Sequence, residues 1–209
     1  MKHVKAALKE KKRIIATLSV ILLVAFGVSL IYLDFGLFRY ESAVASQAGT
    51  FSVMEPEPAL SGVVYLYVEG NDPLNRALEA ELKQELRGIY SEVQSFGNLK
   101  QQFDGPVVAV YVIREDHFYT PVYAKTDVEV LYLFSNSGST SYFRDFFMAK
   151  FGAPSPVVHL SSTEGPQLVV KTDITVRTSM KGFFSLEASR QLLAEKVANE
   201  VVTKLDDMR

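Results

Sequence analysis

The spacing of hydrophobic and polar positions changes several times along this chain, and each change marks a new element. From Ile14 to Leu33 twenty consecutive positions carry no charge. At about 1.5 Å of rise per residue, a helix of that length covers roughly the 30 Å of a bilayer's hydrocarbon core, so residues 14–33 are predicted to form one transmembrane helix. "GVVYLYVEG" (62–70) is a β-rich apolar run closed by Gly70. From Asp72 to Phe96 the apolar residues Leu74, Leu78, Leu82, Leu86, Ile89, Val93 and Phe96 fall on one helical face. Asp72 suits an N-cap and Pro73 the first helical position. "PVVAVYVI" (106–113) is apolar throughout, as expected of a strand buried on both faces. Strand, helix and buried strand make a βαβ unit.

Further on, "FYTPVYAK" and "DVEVLYLFS" read as a hairpin whose first strand is interrupted by Pro121 and so lies at an edge. "TSYFRDFFMAKFG" (140–152) reads as a short helix stopped at Gly152 and Pro154. "PVVHLSS" and "QLVVKTDITVRT" read as strands; in the second, Leu168, Val170, Ile174 and Val176 alternate with polar residues, so one face meets water. Ser185 can cap a last helix with Leu186, Leu193, Val197, Val201 and Leu205 on its buried stripe. The predicted order is β-α-β-β-β-α-β-β-α, an α+β domain over residues 62–209 with a mixed sheet and three helices. Residues 34–61 contain "ESAVASQAGTFSVMEPEPALS", rich in Ala, Ser, Pro and Glu without helical or strand periodicity, and read as a juxtamembrane segment and linker.

Charge assigns sides. Residues 1–13 form a basic tail with six Lys or Arg against Glu10 alone, which leaves sixteen basic and twenty-three acidic residues beyond it. By the positive-inside rule the N-terminus is expected in the cytoplasm, and the domain outside a cell membrane that the chain crosses once, with residues 14–33 as signal-anchor. A cleaved signal peptide is the rival reading, because Ala43-Val44-Ala45 has the small-x-small form of a cleavage site. Its apolar region is longer than the usual 7–15 residues. An acidic domain is a poor partner for nucleic acid. The absence of cysteine excludes disulfides, thiolate metal sites and thiol nucleophiles.

Candidate chemistry gathers in three places. If the strands at 62–70 and 106–113 are parallel, their C-terminal ends bring together Glu69, Asn71 and Asp72 with Glu115, Asp116 and His117. Such oxygen-rich groups suit a hard cation, and Asp116 beside His117 suits acid/base catalysis, although a helix cap already explains Asp72. Neither an EF-hand loop nor zinc-ligand spacing is present, and no metal centre or cofactor is predicted. The loop "SNSGSTS" (135–141) lacks the lysine of a P-loop and the Gly-x-Ser-x-Gly of a nucleophile elbow; Ser139 or Ser141 is expected to cap the following helix. His159, alone in an apolar run, is expected in the core. Tyr142, Phe143, Phe146, Phe147, Met148 and Phe151 surround most of their helix, a pattern of burial on two sides or of a partner contact.

The reading that follows is a membrane-anchored protein presenting an extracytoplasmic binding or assembly module, whose partners would be the membrane through residues 14–33 and a membrane protein or a second copy of the chain. The alternative from another class is a membrane-tethered, cation-dependent hydrolase working with the acidic strand ends.

Overall fold

The computed structural model describes residues 14–28, 36–53, 62–99, 102–160 and 166–208. Ten elements follow one another: helix α1 (14–28), strands β1 (Gly36–Val53) and β2 (Val63–Val68), helix α2 (Pro73–Leu86), strands β3 (Glu92–Ser95), β4 (Val107–Thr120) and β5 (Tyr123–Ser135), helix α3 (Phe143–Ala149), strand β6 (Gln167–Phe184) and helix α4 (Leu186–Asp206). The strands form one six-stranded mixed sheet in the order β1-β6-β5-β4-β2-β3. β2 is parallel to both β3 and β4, and the β4–β5, β5–β6 and β6–β1 pairs are antiparallel.

Side-chain alternation divides the sheet into two apolar faces. Leu66, Val110, Val130, Tyr132 and Ile174 face one way, onto Leu78, Leu82 and Leu86 of α2 and Leu193, Val197 and Val201 of α4. Ala109, Tyr111, Leu131 and Leu133 face the other, under Phe143 and Phe146 of α3. This second layer is completed by Phe96, Leu99 and Phe103 from the β3–β4 connection and by Val158 and Leu160. Both long helices are capped as their sequences require: Asp72 accepts from the Asn75 amide at 3.0 Å, and Ser185 from the Ala188 amide at 3.0 Å.

The membrane expectations are overturned. Among the described residues no helix is long and apolar enough to cross a membrane. α1 is described over residues 14–28 only, about 22 Å of helix against the roughly 30 Å needed, and residues 29–33 lie outside the described residues. The transmembrane and signal-anchor assignment, and with it the single-pass placement with a cytoplasmic N-terminus, is therefore unsupported.

The predicted linker is also corrected. Residues 36–53 form β1, the outer strand of the sheet, in unbroken register with β6 from Gly36 opposite Phe184 to Val53 opposite Gln167. Ala43-Val44-Ala45 lies in the middle of that strand. The remainder of the predicted segment, 34–35 and 54–61, falls outside the described residues.

Three boundaries move as well. The helix predicted through Phe96 ends at Leu86, and Glu92–Ser95 becomes the short strand β3. Ile89 and Val93 still pack on the α2 side while Phe96 crosses to the other face, so the helical spacing of these residues reflects a turn and a strand. Pro121 sits in the two-residue turn joining β4 to β5 and interrupts no strand. "PVVHLSS" pairs with nothing among the described residues, and His159 is exposed, its backbone N–H donating to the Tyr142 hydroxyl at 3.0 Å.

Candidate ligand cavity at the parallel strand ends

The parallel strands do end together, but the predicted cluster does not assemble there. The Glu69 amide donates to the Val110 carbonyl at 3.0 Å, which places Glu69 beside Tyr111. β4 continues past that point to Thr120, with its register against β5 shifted between Val112 and Arg114. Asp116 is thus five residues beyond Tyr111, about 16 Å along the strand. Asp116 and His117 are strand neighbours and point to opposite faces, so they cannot act as a pair on one substrate. Asp116 lies 3.4 Å from Arg114, and His117 Nδ1 lies 3.4 Å from Glu115. On the other element, Asp72 caps α2 and the Asn71 carbonyl accepts from Arg76 at 2.9 Å. Among the described residues no three of His, Asp and Glu are grouped to hold a metal ion.

What the strand ends do frame is a cavity of about 460 Å³. Tyr67 and Glu69 from the end of β2, Tyr111 from β4, Gly97 to Leu99 after β3, Thr140 and Ser141, and Arg144, Phe147 and Met148 of α3 line it. Three aromatic rings set its shape. Phe147 stacks on Tyr111 with centroids 4.6 Å apart and planes 25° apart, and Tyr67 meets Tyr111 at 5.9 Å and Phe96 at 5.4 Å.

Its polar groups are few and unevenly satisfied. The Tyr67 hydroxyl donates to the Glu69 carboxylate. No Lys, Arg or His pairs with Glu69 among the described residues, and Arg144 at the exposed rim has no acidic partner there either. Tyr111 is 1 % exposed, and its hydroxyl has no hydrogen-bond partner among the described residues. Burial, reinforced by Tyr67 and Glu69, holds that hydroxyl protonated far above the usual tyrosine range. Tyr67 is pushed the same way by burial and by its bond to Glu69.

The Ser/Gly loop builds the cavity's ceiling. Gly138 has φ +75°, and a Cβ there would sit 1.8 Å from the Phe103 carbonyl oxygen, so only glycine lets the two loops cross. Phe103 N–H donates to the Gly138 carbonyl at 3.2 Å, and the buried Thr140 hydroxyl donates to the Leu99 carbonyl. Neither Ser139 nor Ser141 caps α3, whose N-cap is Tyr142; the two hydroxyls bond each other at 2.9 Å.

The aromatic helix resolves residue by residue. Phe143 and Phe146 are buried in the second core layer, Tyr142 and Phe147 are half-buried, and Met148 and Phe151 are exposed. Phe147, one of the candidate contact residues, lines the cavity. Tyr67 and Tyr111 carry no distinguishing signal in the sequence, where they are two more aromatic positions in apolar strands.

No protein-family model matches this sequence, and no curated protein matches it. Solved structures resemble the fold weakly. The PelC dodecamer from Paraburkholderia phytofirmans has a TM-score of 0.36 at 13 % identity, covering 75 % of this chain and 96 % of that one. A single-substitution variant of the same dodecamer scores 0.35 at 13 % identity over 74 % and 96 %. A structure described as a neuraminyllactose-binding hemagglutinin homolog from Helicobacter pylori scores 0.30 at 13 % identity over 72 % and 86 %. Likeness at this level carries no functional argument.

Proposed function

We propose that this chain is a binding protein for a small organic molecule that has a compact apolar body and a protonated amine. The carrying observation is Tyr111, which lines a small-molecule-sized cavity and whose buried hydroxyl has no partner among the described residues. A ligand that hydrogen-bonds to Tyr111 removes the cost of leaving that group unsatisfied. Glu69 selects the charge: it is a carboxylate with no basic side chain beside it, fixed by Tyr67 and backed by aromatic faces that attract cations. Arg144 at the rim favours ligands that also carry an anionic group.

The test is titration calorimetry on the full chain with a panel of aromatic and alicyclic amines, their zwitterionic carboxylated counterparts and neutral alcohols of the same shape. Amines should bind, alcohols should not, and Glu69→Gln should remove amine binding by ten-fold or more. Arg144→Ala should weaken the zwitterions alone. Equal binding of amines and alcohols would sink the assignment of Glu69. The catalytic alternative loses its main support once Asp116 and His117 face opposite sides of the sheet.

A further inference from the structure

We infer that two copies of this chain pair edge to edge through β1 about a two-fold axis, joining their six-stranded sheets into one. β1 is the outer strand and runs eighteen residues, on the order of 60 Å. No described strand lies on its outer side, so one whole row of its N–H and C=O groups has no ladder partner among the described residues. Monomeric proteins blunt such edges with proline, bulges, lysine or short length. β1 has none of these: its register with β6 is unbroken, it contains neither Pro nor Lys, and its only charges are Arg39 and Glu41.

The occupant is identified as a second copy by what flanks the edge. On the α4 side, Lys196 lies 5.0 Å above the Tyr40 ring, and Glu200 accepts from the Ser46 hydroxyl at 2.6 Å. An antiparallel pairing with Tyr40 opposite Ser46 of the second copy has its two-fold axis at Ala43. It sets Lys196 facing Glu200 of the other copy, and the reverse, across helices on the order of 10–15 Å apart. Among the described residues the ion pairs of Lys196 and Glu200 lie within their own helix, with Glu195 and Lys204 respectively. In this register Arg39 falls opposite Gln47 and Glu41 opposite Ala45, so no like charges meet. The half-exposed Tyr40 and Val44 are covered along the same strip.

Ala43 gives the test, because on the two-fold axis it faces itself, and its side chain is exposed within one copy. The full chain is examined by sedimentation velocity and native mass spectrometry at protein concentrations on the order of 100 µM. The wild type should have twice the chain mass. Ala43→Lys and Ala43→Glu should each halve it, and an equal mixture of the two should give a mixed dimer at full mass. Circular-dichroism melts check that each variant is folded, and the two opposite charges guard against one of them failing to fold. A monomeric wild type, a dimer that survives both substitutions, or a mixture that stays monomeric while folded would overturn the pairing.

Discussion

Replacing Tyr111 with Phe removes one oxygen and nothing else from the cavity wall, so its effect isolates the group on which the ligand reading rests. Tyr111 keeps its stacking on Phe147 and its place between Ala109 and Leu131 in the second core layer. An unsatisfied buried hydroxyl costs about 1–3 kcal/mol. At the lower end of that range the variant should be more stable by about 1 kcal/mol, which in a chain of this size raises Tm by roughly 2–4 °C. With ligand the sign reverses: losing one neutral hydrogen bond of about 1 kcal/mol should weaken binding roughly five- to ten-fold. Differential scanning calorimetry with and without ligand reads both effects. Tyr132→Phe is the control, since Tyr132 is as deeply buried but points to the α2–α4 face, so ligand affinity should not move. A fall in Tm for Tyr111→Phe would mean that the hydroxyl is already satisfied in the folded chain, and the reasoning would fail.

Gly138→Ala should destabilise by about 3 kcal/mol, a loss of roughly 6–12 °C in Tm, because the new methyl meets the Phe103 carbonyl at a positive φ; an unchanged melt would show the loop crossing to be dispensable. Phe146→Ala should cost about 3–5 kcal/mol in urea unfolding, whereas Phe151→Ala, on an exposed ring, should stay within about 0.5 kcal/mol. Hydrogen bonds from Lys83 and Ser95 lower the Glu79 carboxyl from its ordinary 4.5. A carboxyl whose folded pKa is depressed stabilises above its unfolded value and loses that contribution as pH falls through the folded value, so Glu79→Gln should flatten the pH dependence of stability below about 4.5. Urea midpoints between pH 3 and 6 check the slope, and an unaltered acid limb would contradict the assignment.

The α+β class, the strands β2 and β4 and the starts of both long helices were legible because their signals are local: Asp72 and Ser185 as caps, Leu78 and Leu82 at helical spacing, and the apolar run at 106–113. β1 was not, because its small and polar residues lie mostly exposed on a sheet edge, and its strand character comes from the backbone ladder to β6. The extension of β4 through Arg114, Asp116 and Phe118 was hidden for a related reason. Its charged residues resemble the end of a strand, yet the antiparallel ladder to β5 carries it on to Thr120 opposite Tyr123. That extension is also what carries Asp116 and His117 away from Glu69. The cavity depends on long-range approach, with Gly138 crossing Phe103 and Phe147 closing on Tyr111, which no single stretch of sequence encodes.

The central claim is that the cavity between Tyr67, Tyr111 and Phe147 takes up a small amine through Glu69. The most direct test is saturation-transfer NMR of a fragment library on the full chain, repeated on Glu69→Gln. The fragments bound by the wild type should be chiefly amines with an apolar ring, and their signals should disappear in the variant. A set of binders without amines, or amines that bind the variant equally well, would contradict it.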